Sequence, residues 1–379
     1  MSAPRVLFAG GGTGGHLYPA LALAEAFQRL HPDAEVMFIG AQRGVEARVL
    51  PEKGVKHILL PLEPIRRAKP WQNWRLVPAM LRSAAGLRSV FASFRPDLVV
   101  GTGGYASGPA VAWAALNGVP SAVQEQNSYP GFVTRTMGGR VRQIHLAFPE
   151  ARRYLKPGKN TEVFEHGNPI KPPDRSVQRA VARASFGLGD GIVCLVTGGS
   201  QGARSVNEAL LAALRGVADG RLPAPPPGFQ ILWATGPNNH AAAAEKLAQL
   251  GNPAWVKVLP YIQDMPGALA SADFAIARAG AMSLAELCAW GVPSILVPLP
   301  TAAANHQHHN AVALADVGAA IMVPENELGS GRLWTEVMKL ATSAEAREGV
   351  AARALERGKP HAADQIVAEL SRLVRKQGR

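Results

Sequence analysis

Cysteine is nearly absent: two residues among 379, Cys194 inside the apolar run Ile192–Val196 and Cys288 within a helical pattern. That excludes a disulfide framework and a thiolate metal centre, and both thiols read as small buried hydrophobes. Long apolar runs are missing too. None approaches the roughly 20 residues that cross a bilayer, and the run after Met1 is too short for a signal peptide, which predicts a cytoplasmic protein. Aromatic residues make up 6%, no basic run is studded with them, and no nucleic-acid motif is visible. Acid is in deficit, with 28 Asp and Glu against 40 Lys and Arg for a net charge of +12. Such an excess favours anionic partners (nucleic acid, anionic lipid or phosphorylated substrates), and an Arg- and Ala-rich composition accounts for part of it.

Glycine, by contrast, is plentiful and placed at particular points. Four strand-to-helix junctions carry clustered small residues, two in each half of the chain: Gly10-Gly11-Gly12-Thr13-Gly14-Gly15-His16, Gly101-Thr102-Gly103-Gly104-Tyr105, Gly198-Gly199-Ser200-Gln201-Gly202 and Arg278-Ala279-Gly280-Ala281. Glycine lets the backbone approach a phosphoryl oxygen, and the helix that follows points its unpaired N–H groups and positive end at the anion. The pattern describes a two-lobed phosphate handler with a nucleotide between the lobes.

Strand and helix patterns alternate in both halves. Arg5–Ala9, Glu35–Ile39, His57–Leu60, Asp97–Val100 and Ser121–Gln124 read as strands, with helices at Pro19–Leu30, Val45–Lys53 and Ser107–Asn117. Gly167-Asn168-Pro169-Ile170-Lys171-Pro172-Pro173 interrupts the pattern, because its prolines exclude helix and central strand alike. Strands resume at Ile192–Thr197, Phe229–Ala234, Trp255–Leu259, Asp273–Ala277 and Ser294–Val297, with helices at Asn207–Leu214 and Ser283–Trp290. Leu222–Gly228, with four prolines, reads as a surface loop. The alternation marks right-handed βαβ units on parallel sheets. Domains are expected at 1–168 and 169–355, with 356–379 a C-terminal helical segment able to pack back on the N-terminal domain. The fold class is α/β: two doubly wound, Rossmann-like domains facing a shared cleft, the GT-B architecture.

Gly10, Gly12 and Gly15 also satisfy the dinucleotide fingerprint, but that fold wants an acid at the end of the second strand, which here ends Phe38-Ile39-Gly40-Ala41-Gln42. Asp33 and Glu35 come too early, which disfavours an oxidoreductase. His16, at the start of a helix, is kept neutral by the positive helix end and fits either a general base or a histidine bonding its own helix; the residues alone do not separate the two.

The motifs taken in order resemble the MurG family, the peptidoglycan N-acetylglucosaminyltransferases. Gly11–His16 with Pro19–Ala24, Gly103–Pro109, Glu125-Gln126-Asn127, Gly167-Asn168-Pro169, Gly198–Ala203, Arg278–Glu286 and Asn305–Ala311 carry the likeness through nearly the whole chain. The resemblance implies an inverting hexosyltransferase of the cytoplasmic face of the inner membrane. It would move GlcNAc from UDP-GlcNAc to the 4-hydroxyl of MurNAc on undecaprenyl-diphosphate-linked MurNAc-pentapeptide (lipid I). The product is lipid II, for peptidoglycan synthesis and hence cell-wall biogenesis, cell shape and division. No cofactor is required on this reading, and a divalent cation is at most stimulatory.

The same resemblance distributes roles. His16 is the preferred base; Glu125, beside Asn127 at a strand end, is the other candidate for base or acceptor-orienting group, with an ion pair to an arginine as its plainer role. Donor contacts fall on Thr13, Gly14, Gly15, Asn127, Lys171, Ser200, Ile262, Ala281, Met282, Ser283, Leu284, Ala285, Glu286 and Gln307. Among them Ser200 takes the diphosphate, Ile262 lines the uracil pocket through backbone and apolar contact, Glu286 the ribose diol and Gln307 the sugar hydroxyls. A solvent-facing glutamate is the plainer role for Glu286. Gly11, Gly12, Gly103, Gly104 and Tyr105 would cradle the acceptor diphosphate. His306, His308 and His309 read as cleft wall, since no ligand set for a metal surrounds them.

Trp71, Trp74, Arg75 and Arg82, among Arg66, Arg67 and Lys69, suit an anionic membrane surface, although Val77, Leu81, Ala84 and Phe91 also look like a core face. The chain departs from the family at Lys171 (usually arginine), Gln124 (often histidine), Thr134-Arg135 (an Asn-Lys-like pair) and Ala304 (often an acid). Two other classes stay open. One is a membrane-associated nucleotide-sugar binding protein without catalysis. The other is a different GT-B enzyme, such as a lipid glycosyltransferase or an epimerase, which would consume UDP-GlcNAc without an acceptor.

Overall fold

A computed structural model describes residues 3–63, 76–199 and 201–375. The chain forms two compact units, Met1–Lys171 with Pro360–Arg379, and Pro172–Lys359. It passes between them at 171/172 and 359/360, a few residues beyond the boundaries read from the sequence.

Unit 1 is built on β1 (Arg5–Ala9), β2 (Glu35–Ala41), β3 (His57–Leu60), β4 (Leu98–Gly101), β5 (Ser121–Glu125), β6 (Gln143–Leu146) and β7 (Glu162–Phe164). Between them run α1 (Gly14–Leu30), α2 (Glu46–Glu52), α3 (Leu76–Phe94), α4 (Ser107–Leu116) and α5 (Phe132–Met137). All pairings are parallel, in the order β3-β2-β1-β4-β5-β6-β7. Val6 and Phe8 face one buried layer with Leu17, Phe27 and Leu98, while Leu7 and Ala9 face the other with Ile39, Val99 and Ile144. Both sheet faces are covered, which is why β1 reads as an unbroken apolar run.

Two details differ from the sequence pattern. α1 begins at Gly14, five residues before Pro19, which lies inside the helix. Proline usually marks a first helical position, and here its missing N–H leaves the Gly15 carbonyl without its helical donor. β6 and β7 extend the sheet beyond the strands expected; one is half polar (Gln143, His145) and the other three residues long, so neither carries a clear alternation.

Unit 2 repeats the plan. Its strands are β8 (Val193–Thr197), β9 (Gln230–Ala234), β10 (Val256–Leu259), β11 (Phe274–Ala277), β12 (Ser294–Leu296) and β13 (Ile321–Met322), in the order β10-β9-β8-β11-β12-β13. The helices are α6 (Arg179–Ser185), α7 (Arg204–Ala218), α8 (His240–Ala248), α9 (Met265–Ser271), α10 (Ala281–Trp290), α11 (His306–Ala315), α12 (Arg332–Thr342) and α13 (Ala344–Arg357). Trp233, Phe229, Phe274 and Trp334 fill its core, and the Trp334 indole donates to the Pro223 carbonyl at 3.0 Å, pinning the proline-rich loop.

After α13 the chain returns to unit 1 as α14 (Ala362–Arg375), which packs on α1. Ile366 and Leu370 join the core there, Arg29 pairs with Asp364 at 2.9 Å, and His31 Nε2 meets Ser371 Oγ at 2.8 Å. In each sheet the strand order reverses once, between β1 and β4 and between β8 and β11, and at such points α/β sheets bind ligands outside the strand carboxyl ends.

Candidate active site

At the reversal in unit 1, His16 occupies the first turn of α1. Its Nδ1 lies 3.0 Å from Thr13 Oγ1, and its carbonyl accepts from Thr102 Oγ1 at 2.7 Å, tying the β1–α1 loop to the end of β4. The imidazole packs on the β4–α4 loop so closely that a Cβ on Gly103 would lie 2.6 Å from its Cδ2. Gly103 has φ +96, so both the backbone and the ring require glycine there. Tyr105 lies over Gly12; burial first, then the Glu46 and Glu63 carboxylates, push its phenol above its ordinary range.

The neighbouring β5–α5 loop is organised by Glu125, which is 2% exposed. Its carboxylate accepts from Thr134 Oγ1 (2.6 Å), Gly131 N (2.8 Å), Asn127 N (3.1 Å) and Asn127 Nδ2 (3.4 Å). Burial raises its pKa and these four donors oppose that rise. Beneath it, Gln126 Nε2 donates to the Thr102 carbonyl at 2.8 Å and Asn168 Nδ2 to the Gln126 carbonyl at 3.2 Å, while Gln124 Nε2 reaches Asn168 Oδ1 at 3.1 Å. A buried amide network thus joins β4, β5 and the 167–170 segment.

At the reversal in unit 2, α7 and α10 start beside the carboxyl ends of β8 and β11. Neither helix has a side-chain cap or an acid of its own in its first turn, and at the start of α7 the Glu325 carboxylate accepts from Ser205 Oγ at 2.8 Å. Arg278 is nearly buried; it donates to the Val297 and Pro298 carbonyls and to Ser205 Oγ and pairs with Glu325 at 2.6 Å, holding the β11–α10, β12–α11 and α7 starts together. Asn207 bridges the Trp233 indole and the Thr235 carbonyl. Glu286 sits on α10 with its pKa raised by burial, and its carboxyl makes no hydrogen bond to a described residue. Gln307 Oε1 accepts from Leu299 N at 3.0 Å.

Two family matches cover this architecture: residues 6–146 match the glycosyltransferase family 28 N-terminal domain and residues 193–366 its C-terminal domain. A Moorella thermoacetica protein named UDP-N-acetylglucosamine–N-acetylmuramyl-(pentapeptide) pyrophosphoryl-undecaprenol N-acetylglucosamine transferase is 40% identical over 374 residues, covering 96% of this chain and 97% of its own. A Desulfitobacterium hafniense protein of the same name is 38% identical, with 96% and 97% covered. The crystal structure of Acinetobacter baumannii MurG superposes with a TM-score of 0.75 at 28% identity, over 97% of this chain and 99% of that one. This chain belongs to the MurG family.

Against that family the expected positions fall as follows. Thr13, Gly14, Gly15, His16, Gly103, Gly104 and Tyr105 come together at the β1/β4 reversal, with Glu125 and Asn127 on the adjoining β5 loop. Ala281, Met282, Ser283, Ala285 and Glu286 line the partly exposed start of α10. Three expectations need correction. The Gly12 amide is not open to a diphosphate, because it donates to the buried Glu46 carboxylate at 2.8 and 3.0 Å, and Gly11 lies against the same carboxylate. Leu284 is 1% exposed and Ile262 2%, so both side chains belong to the unit-2 core and only their backbones remain for a ligand contact. Glu125 has no arginine partner among the described residues; backbone and hydroxyl donors fill that place. Lys171 needs no such correction: its side chain is exposed and bonds to no described residue. Ser200, Trp71, Trp74 and Arg75 lie outside the described residues. Glu46, Thr134 and Asn207 hold the MurG-family loops without standing in a glycine motif, and their burial as polar side chains emerges only in the fold; Thr102, inside the Gly101–Tyr105 motif, holds the His16 carbonyl.

Proposed function

We propose that unit 1 takes the lipid-linked acceptor and unit 2 the nucleotide sugar. The chain is a UDP-GlcNAc-dependent N-acetylglucosaminyltransferase that glycosylates MurNAc-pentapeptide on undecaprenyl diphosphate. The observation that carries the acceptor assignment is His16 at the β1/β4 reversal, held by Thr13 and packed on Gly103. In the tautomer whose Nδ1–H donates to Thr13 Oγ1, Nε2 carries the lone pair of a general base. It would take the proton of the MurNAc 4-hydroxyl as that oxygen attacks the anomeric carbon of GlcNAc. The bond to UDP breaks in the same displacement, which inverts the centre. Glu125, with both oxygens occupied, serves better as the organiser that sets Asn127 toward substrate than as the base.

On unit 2 the positive ends of α7 and α10 suit the leaving diphosphate and take the part a metal would otherwise play, so no cofactor is invoked. Glu286, with no hydrogen bond to a described residue, suits the ribose diol, and Gln307 the sugar hydroxyls. Lys171 supplies a mobile-tipped charge for a phosphate in place of an arginine fork.

No described helix is long and apolar enough to cross a membrane. Leu81 on α3 is 68% exposed and Leu116 on α4 84%, on helices that pack together, with Arg82 exposed beside Leu81. Exposed apolar side chains on these helices, one of them beside an arginine, favour peripheral contact with the anionic cytoplasmic face of the inner membrane, where the lipid acceptor resides.

The test is transfer of labelled GlcNAc from UDP-GlcNAc to a short-chain lipid I analogue by purified protein, alongside His16→Ala and a reaction without acceptor. Disaccharide from wild type, a loss of about 10²-fold or more in the variant and no UDP release without acceptor support the reading. UDP release without acceptor would replace it with an epimerase-like reaction.

A further inference from the structure

Glu46 is the first residue of α2 and is 0% exposed. Its Oε1 accepts from Ala41 N at 2.8 Å and Gly12 N at 3.0 Å, and its Oε2 accepts from Gly12 N at 2.8 Å. No lysine or arginine among the described residues pairs with it. Glycines leave the space it fills: a Cβ on Gly11 would lie 2.2 Å from Oε1, one on Gly44 2.1 Å from the same atom, and one on Gly40 2.4 Å from Cγ. A full carboxylate is therefore inserted behind the β1–α1 loop, between it and the β2–α2 turn.

A buried acid behind a loop suited to anions needs a reason. Its charge opposes a diphosphate on the other side, and its burial is tolerated only because backbone donors satisfy it. What it gains is shape: Gly12, at φ +87, is drawn inward by the carboxylate and covered outside by Tyr105. The next residue, Thr13, is the one that holds His16.

We propose that Glu46 is a positioning residue for the transfer: its carboxylate locks the β1–α1 loop in the shape that presents Thr13 and His16 to the acceptor. An amide cannot replace it, since the NH2 group of a glutamine would face the Gly12 or Ala41 N–H, donor against donor. The proposal rests on the acceptor role of His16 given above.

Glu46→Gln lowers kcat by roughly 10- to 100-fold, the scale of an ångström-level misplacement. The rate is counted per molecule able to bind UDP, a property of unit 2 that corrects for any misfolded fraction. The acceptor KM does not rise, because a buried negative charge has been removed; a generally loosened fold would not produce that split. Should Glu46→Gln fold poorly, Gly44→Ala displaces the carboxylate from outside the loop. It lowers kcat in the wild-type background and has no further effect once Glu46→Ala has removed the carboxylate. A readout independent of activity is the rate at which diethyl pyrocarbonate modifies His16, followed by mass spectrometry, which changes severalfold in Glu46→Gln. Wild-type kcat per UDP-binding molecule with unchanged His16 labelling overturns the proposal. Additive effects of Gly44→Ala and Glu46→Ala overturn it as well. An inactive wild type counts against the acceptor reading alone, and the labelling still decides whether Glu46 sets His16.

Discussion

The His16 imidazole rests on the Cα of Gly103, with no room between them for a methyl group: a Cβ there would come within 2.6 Å of Cδ2 and 3.1 Å of Nε2. Gly103→Ala accordingly drives the ring off the β4–α4 loop and strains a backbone at φ +96. We expect kcat to fall about 10²-fold while the Kd for UDP, measured calorimetrically, stays within about twofold of wild type. Equal losses in UDP binding would mean that the substitution spreads beyond unit 1.

Thr134 is the side chain that most directly sustains the Glu125 carboxylate, at 2.6 Å. Thr134→Val removes a donor that favours the charged form, so the pKa that burial already raises goes higher still. A native carboxyl with a raised pKa binds its proton more tightly than the unfolded chain does, so its stability contribution falls as pH rises through the folded value. The variant is therefore about 1–3 kcal/mol less stable than wild type at pH 8 and closer to it at pH 5. Urea denaturation at the two pH values measures the gap; a gap that widens toward acid contradicts this account of Glu125.

Much of this arrangement was legible in the chain and some was not. Glycine clusters at strand ends are visible because only glycine combines close approach with freedom in φ, and β1, β4, β8 and β11 are visible because a sheet covered on both faces needs continuous apolar residues. The supports behind the loops are different. Glu46 reads as an ordinary first-turn acid of a short helix, and its burial depends on Gly11, Gly40 and Gly44 meeting in space from separate segments. Leu284 and Ile262 show the converse: a motif position can match while the side chain points into the core.

Glu286 carries a burial-raised pKa and no internal hydrogen bond among the described residues, the condition of a carboxylate waiting for a diol. Glu286→Ala is expected to weaken UDP-GlcNAc binding by about 10- to 100-fold, equivalent to about 1.4–2.7 kcal/mol. A 2′,3′-dideoxy-UDP ligand loses nothing further in the variant, as a double-mutant cycle between residue and ligand requires. Since the charged form is the better acceptor, wild-type affinity for UDP declines as pH falls through the raised pKa, and Glu286→Ala removes that decline. Equal sensitivity to the missing hydroxyls in both proteins would move the ribose elsewhere.

His145 lies buried on β6 in a stack with Phe164 and His166, and its Nε2 approaches Gln143 Oε1 at 3.2 Å. Burial, and then the facing His166, lower its pKa to about 3. Unfolded, the same imidazole titrates at about 6.5. Between the two values the unfolded chain holds the extra proton, so the native state loses stability as pH falls below about 6.5, by about 1.4 kcal/mol per unit, and stops losing it below the folded value. By pH 5 the deficit is about 2 kcal/mol. His145→Phe keeps an aromatic ring in the stack and cannot take up a proton. The expected result is a variant whose urea midpoint declines less than that of wild type between pH 7.5 and pH 5. Parallel declines would place the acid sensitivity of unit 1 in groups other than this histidine.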